Sequence, residues 1–180
     1  SEDWSDYRMN VRMENTDNDG IGLLFRVEDD NSFYRMNFTN ESMGANTTLF
    51  RTPRGMSIQK NDNGVWTEVF RDDQSNPKFV FQPGVPFDVS LTAVGNTFGV
   101  EIINDPDGTP TAIVYDPIQD STNPIFSGSV GFANWGSGKG NLNASYSAYG
   151  GGSSSLLTVV TNPTVAVLTV DRLTGEVILT

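Results

Sequence analysis

Between Asp6 and Thr39 the chain alternates apolar and polar residues along three successive segments, with acidic turn residues at each break. Tyr7, Met9, Val11 and Met13 alternate with Arg8, Asn10 and Arg12. Ile21, Leu23, Phe25 and Val27 alternate with Gly22, Leu24, Arg26 and Glu28, and Phe33–Phe38 is rich in aromatic residues. Successive side chains of a strand point to opposite faces, so a period of two predicts three consecutive strands, one face on a core and the other in solvent. The bends fall at Thr16-Asp17-Asn18-Asp19-Gly20 and at Glu28-Asp29-Asp30-Asn31.

The remainder reads the same way. Met56–Lys60 and Val65–Phe70 flank Asn61-Asp62-Asn63-Gly64, where Asn-Gly predicts a tight hairpin because both residues tolerate positive φ. A further short strand is expected near Thr48–Arg51. Asp72 to Pro86, with three prolines, reads as a long loop. Phe87–Ala93 and Phe98–Ile102 alternate about a Gly95-Asn96 turn, and Ala112–Tyr115, Ser129–Ala133 and Asn141–Tyr149 supply more strands. A single helical turn is expected within Asp116–Pro124.

Roughly a dozen short strands separated by polar turns predict an all-β chain, a two-sheet antiparallel jelly-roll sandwich with a C-terminal β-hairpin appendage. The divisions expected are a sandwich over 1–150, a Gly/Ser linker over 151–155 and a hairpin segment over 156–180. That hairpin is too small to be stable alone in water. It would pack on the main domain, on a following domain or on another copy of the chain.

Composition narrows the chemistry. The 180 residues include no cysteine and no histidine, which excludes disulfides, thiol nucleophiles, Ser-His-Asp triads and Cys/His zinc sites. The ligands left are hard oxygens, suited to calcium or magnesium. Twenty-two acidic residues against 11 basic ones give a net charge of −11, which opposes nucleic-acid binding. No apolar run approaches the ~20 residues of a membrane-spanning helix. The chain begins at Ser1 and carries no signal peptide, and it reads as a processed protein or an excised piece.

Asp6–Met13, Thr16–Gly20, Gly22–Val27, Asp29–Ser32 and Phe33–Phe38, together with Gly128-Ser129-Val130-Gly131-Phe132 and Asn141–Tyr149, resemble the C-terminal lectin-like domain of thrombospondins and its bacterial relatives. These are concanavalin A-like, laminin-G-like jelly rolls. The resemblance covers roughly residues 3–150 and departs from the pattern at Asn18, which stands between two aspartates where a third aspartate is usual. The rhythm of Leu168–Val177 resembles segments that join sandwich domains in large exported bacterial proteins. What the resemblance implies is an extracellular or cell-surface module, often calcium-binding, used for adhesion or glycan recognition and not for catalysis.

Candidate calcium ligands are Asp17, Asn18 and Asp19 at one bend, Asp29 and Asp30 at the next, and Asp105 and Asp107 in Asn104-Asp105-Pro106-Asp107-Gly108. Asp, Asn and Gly also favour bends for local reasons, so each cluster reads as turn chemistry too, Asn104–Gly108 above all. The first two bends are expected at opposite ends of the sheet and would not share an ion. Trp135, beside Asn134 in a Gly-rich loop, is a candidate to stack on a sugar ring, and equally to fold over the sandwich edge.

Three function classes follow. The first is a noncatalytic extracellular calcium-binding module for a glycan or a surface protein. The second is a structural subunit of a fibre or multidomain exported protein that self-associates through residues 153–180. The third and weakest is a polysaccharide hydrolase or lyase, for which Glu68 and Glu101 are the carboxylates available.

Overall fold

The computed structural model describes residues 4–41, 54–104, 109–135, 144–153, 168–170 and 177–179. Its strands are β1 (Tyr7–Asn15), β2 (Gly20–Asp29), β3 (Ser32–Thr39), β4 (Gly55–Asp62), β5 (Val65–Arg71), β6 (Phe87–Val94), β7 (Thr97–Asn104), β8 (Thr111–Val114), β9 (Ile118–Gln119), β10 (Ser129–Trp135), β11 (Ala144–Ser153), β12 (Leu168–Val170) and β13 (Val177–Leu179). One sheet runs β11-β1-β6-β7-β8, with β9 also on β7; a second runs β10-β2-β3-β4-β5. Among the described residues β12 and β13 pair only with each other. All pairings are antiparallel. The two-sheet jelly-roll sandwich predicted from the alternation is the fold observed.

The apolar parity of each strand lies between the sheets. Val11 and Met13 of β1 and Val89 and Leu91 of β6 face Leu23, Met36 and Ile58 of β2, β3 and β4, all at 0% exposure. Phe25 stacks on Tyr34 at 5.1 Å, and Phe98 meets both edge-on. Such offset and T-shaped pairs add to what burial itself supplies. The loop 72–86 contributes Phe79 and Phe81, which pack against Phe87. Asp72 anchors this loop by accepting hydrogen bonds from the Tyr115 hydroxyl and the Lys78 N–H.

The structure corrects five sequence expectations. β1 does not pair with β2; it lies between β6 and β11 in the other sheet. The Thr16–Asp19 bend therefore crosses from sheet to sheet, because two apolar faces are buried as well by opposing one another as by lying side by side. Asp116–Pro124 holds no helical turn: Ile118 and Gln119 pair with β7. Gly151, Gly152 and Ser153 belong to β11, opposite Met9, Arg8 and Tyr7, so the stretch read as a linker begins as paired strand. Ser154 and Ser155, like Thr48–Arg51, lie outside the described residues.

Asn134 and Trp135, expected in a loop, end strand β10 opposite Ile21 and Gly20. Arg26, which the alternation sends outward, is fully buried. A β-bulge causes this last departure: Arg26 has φ 49°, and the register of β2 shifts against both β3 and β10. The Arg26 guanidinium then donates to the carbonyls of Gly95, Ile125 at 2.7 Å and Ser5 at 3.1 Å. Burial lowers its pKa from the ordinary arginine value, opposed by the neighbouring Tyr7, Tyr34 and Asp6.

Candidate functional site

The second sheet turns one face to the core and the other outward, and the outward rows carry polar residues where they cross β3, β4 and β5. One row crosses the sheet as Gly131, Leu24, Arg35, Gln59 and Glu68; the next as Ala133, Gly22, Asn37, Ser57 and Arg71; Phe33, Asn61 and Trp66 make a third. Each of these polar residues sits one step from a core residue, so the alternation that buries Met36 and Ile58 fixes where Asn37 and Gln59 lie.

The polar side chains form a connected network. Arg35 Nη2 donates to Gln59 Oε1 at 2.6 Å, while Asn37 Nδ2 donates to the same oxygen at 3.2 Å and to Ser57 Oγ at 3.4 Å. The Arg35 guanidinium lies over the Trp66 ring, 4.6 Å from its centroid, and Trp66 meets Phe33 edge-on. Arg71 places Nε at 2.8 Å and Nη2 at 2.5 Å from Glu68 Oε2 at the exposed rim. Burial pushes the Arg35 pKa down to about 10.

Arg35, Asn37, Ser57, Gln59 and Asn61 are all buried although they lie on the outward face. Two of their acceptors, Asn37 Oδ1 and Asn61 Oδ1, have no hydrogen-bond partner among the described residues. A buried acceptor without a donor costs about 1–3 kcal/mol, so two on one face mark a place where the fold is not optimised for its own stability.

The residues named from the sequence fall elsewhere. Asp17 Oδ1 accepts the Asn18 N–H, Asn15 Oδ1 accepts the Asp17 N–H, and Asp29 Oδ1 accepts the Asn31 N–H. These are the local bonds of Asx turns. β2, ten residues long, separates Asp17, Asn18 and Asp19 from Asp29 and Asp30, by about 30 Å at about 3.3 Å per residue. Among the described residues no three acidic groups gather closely enough to hold a metal, so the donors seen do not fit the six to eight oxygens that calcium takes. Asp105 and Asp107 lie outside the described residues, as does the side chain of Trp135.

Sequence reasoning missed Arg35, Asn37, Gln59 and Asn61 as site residues. Their signal was present: three strands carry polar residues at every second position, as Arg35-x-Asn37, Ser57-x-Gln59-x-Asn61 and Trp66-x-Glu68. That periodicity read as an ordinary solvated face. Two further polar clusters serve the fold. Lys60 and Asp120 form a buried ion pair at 2.7 Å on the core side of β4. Glu101, in the first sheet, lies 3.6 Å from Arg8.

No family model matches the chain, and no curated protein matches it. Solved structures do. The carbohydrate binding module CBM66 from Bacillus subtilis is 17% identical, with 82% of this chain and 74% of that one covered and a TM-score of 0.51. The GH43 BlXynB protein from Bacillus licheniformis is 12% identical over 81% of this chain and 28% of that one, with a TM-score of 0.46. A toad ovary galectin in complex with thio-digalactose is 12% identical over 78% and 89%, with a TM-score of 0.42. At these identities the likeness is one of fold. The architecture shared is the two-sheet jelly-roll sandwich, the fold that the strand-and-turn pattern of residues 3–150 suggested.

Proposed function

We propose that this chain is a noncatalytic glycan-binding module of an extracellular or cell-surface protein, and that its site is the outward face of the second sheet around Arg35, Asn37, Gln59 and Asn61. The observation that carries the reading is the buried polar network on a face that a solitary sandwich would simply solvate, together with its two acceptors that lack donors among the described residues. Fixed amides and guanidinium groups beside an aromatic ring are the groups that orient a sugar in a binding site. The printed name of the Bacillus subtilis structure, a carbohydrate binding module, supports the same class.

Catalysis is disfavoured by placement. Glycosidases hold two carboxyl groups about 5–9.5 Å apart across the scissile bond. Glu68 is tied to Arg71 in β5, while Glu101 stands in β7 of the other sheet. No calcium enters the proposal, because the turn aspartates described do not assemble a site.

Glycan-array screening of the intact chain, followed by calorimetry on the hits, tests the proposal. Saturable binding is expected, weakened at least about tenfold in Asn61→Leu and Glu68→Ala variants whose melting stays close to that of the parent. Binding that both substitutions leave untouched would remove the site from this face.

A further inference from the structure

Residues 121–170 include a single charged one, Lys139, in a chain with 22 acidic and 11 basic residues. That stretch supplies both strands of one flank of the sandwich. β10 is the edge of the second sheet and β11 the edge of the first, each paired on one side only among the described residues. β10 is seven residues long and β11 ten, and neither contains Asp, Glu, Lys, Arg or Pro. Edge strands are ordinarily kept from pairing with other chains by charge, by proline or by being short. The opposite flank has such protection: β5 carries Glu68 and Arg71, and β8 is four residues long.

The core is also left open along this flank. Phe132 and Asn134 stand opposite Leu23 and Ile21, core residues at 0% exposure, yet both are exposed, Phe132 at 46%. Phe132 stacks on Tyr146 of β11 across the gap between the sheets, with ring centroids 4.6 Å apart. The Tyr146 hydroxyl donates to the Ala133 carbonyl at 2.7 Å. Opposed residues of neighbouring strands share a face, so a further strand beside β10 would set a side chain over Phe132.

We infer that this flank receives the C-terminal segment of a second copy of the chain, whose β12 adds as a strand beside β10. Two strands alone are not stable in water. The register of β12 and β13 places Leu168, Val170, Val177 and Leu179 on one face, apolar throughout. The chain from Ser154 to the end of β12 is uncharged, whereas Asp171, Arg172 and Glu176 follow it. An uncharged strand against an uncharged edge strips water from no charge, and main-chain hydrogen bonds along the edge hold it. The segment comes from a second copy because, among the described residues of one chain, β12 pairs only with β13 while Phe132 stays exposed. Copies that each give and receive a strand assemble as a reciprocal dimer or a head-to-tail chain. None of this depends on the glycan reading.

Sedimentation velocity of the intact chain over a concentration series tests the inference, with the mass expected to rise from one chain to two or more. Phe132→Lys puts a charge on the receiving edge and Leu168→Lys puts one on the strand that adds to it. Each alone should weaken association at least about tenfold. An equimolar mixture of the two variants still holds one intact edge and one intact segment, and should restore a complex with one copy of each. A parent that stays monomeric up to about 1 mM overturns the inference and needs no variant to fold. Association that neither substitution weakens places the contact elsewhere and overturns it as well, as does a mixture no more associated than its two components. A monomeric parent whose melting temperature falls on Leu168→Lys would seat the segment on its own sandwich, against the inference.

Discussion

Replacing Lys60 by Met removes a charge from one of the best-buried places in the chain. Lys60 is 3% exposed and Asp120 5%, and the ammonium lies 2.7 Å from Asp120 Oδ2. It also donates to the carbonyls of Thr122 and of Asn123, the latter at 3.0 Å. Asp120 in turn accepts from the Tyr34 hydroxyl at 2.7 Å and from Thr122 N–H at 2.9 Å. Met fills nearly the same volume, so packing changes little. What is lost is the only cation among the described residues that pairs with a buried carboxylate, and breaking such a pair from one side costs about 3–5 kcal/mol. For a domain of this size that is a fall in melting temperature of roughly 6–20 °C.

The effect of pH separates charge from packing in this substitution. Burial pushes the Asp120 carboxyl up, but Lys60, the Thr122 N–H and the Tyr34 hydroxyl outweigh it and hold the group below the usual carboxylate range. A depressed carboxylate contributes stability above its unfolded pKa of about 3.9, and that contribution is lost as pH falls through the folded value. Without Lys60 the carboxyl protonates more readily. The gap between parent and variant, followed by thermal melts from neutral pH to pH of about 4, should therefore narrow. An Asp120→Asn substitution added to Lys60→Met should recover part of the loss at neutral pH. A Lys60→Met variant that loses less than about 1 kcal/mol, or a gap that is the same at both ends of the pH range, would refute the reasoning.

Two further outcomes are expected. Gly128→Ala, at φ 142° with a Cβ that would come within 2.6 Å of the Arg26 carbonyl carbon, should destabilise well beyond Gly64→Ala, where φ is 86° and the space is open; denaturant titration should put the second near about 1–2 kcal/mol. Burial raises the hydroxyls of Tyr7 and Tyr146 to about 12, and those of Tyr34 and Tyr115 further, the latter pair also hydrogen-bonded to Asp120 and Asp72. These groups keep the proton longer when folded, so stability should hold up to pH of about 10 and fall above it, with tyrosinate absorbance appearing only as the chain unfolds.

The strands were legible because burial imposes a simple rule on each of them. Met9, Val11 and Met13 had to share a face whichever neighbour β1 found, and the Asn63-Gly64 turn required positive φ wherever its hairpin lay. Partner choice was not legible, since a strand's period is the same beside β2 or opposite it. The bulge at Arg26 was invisible for a related reason: one added residue reverses the parity, and nothing local in Phe25-Arg26-Val27 announces it. The site was half legible. Asn37, Gln59 and Asn61 stood at outward positions from the start, but that they join into a buried network depends on three strands lying in register. The turn aspartates drew attention because acidic bends stand out in a sequence, and their hydrogen bonds are those of the bends themselves.

Arg26 gives one end of the sandwich a particular way of opening. Its guanidinium holds carbonyls from the N-terminal segment, the β6–β7 turn and the stretch before β10. None of the three can leave without stranding a buried charge that the other two only partly satisfy. Separate loops ordinarily fray independently, each at its own small cost. Here the side chain couples them, so the segments that carry Ser5, Gly95 and Ile125 open in a single event, in which the Gly95 and Ile125 N–H groups, held by Asp6 and the Tyr34 hydroxyl, exchange together.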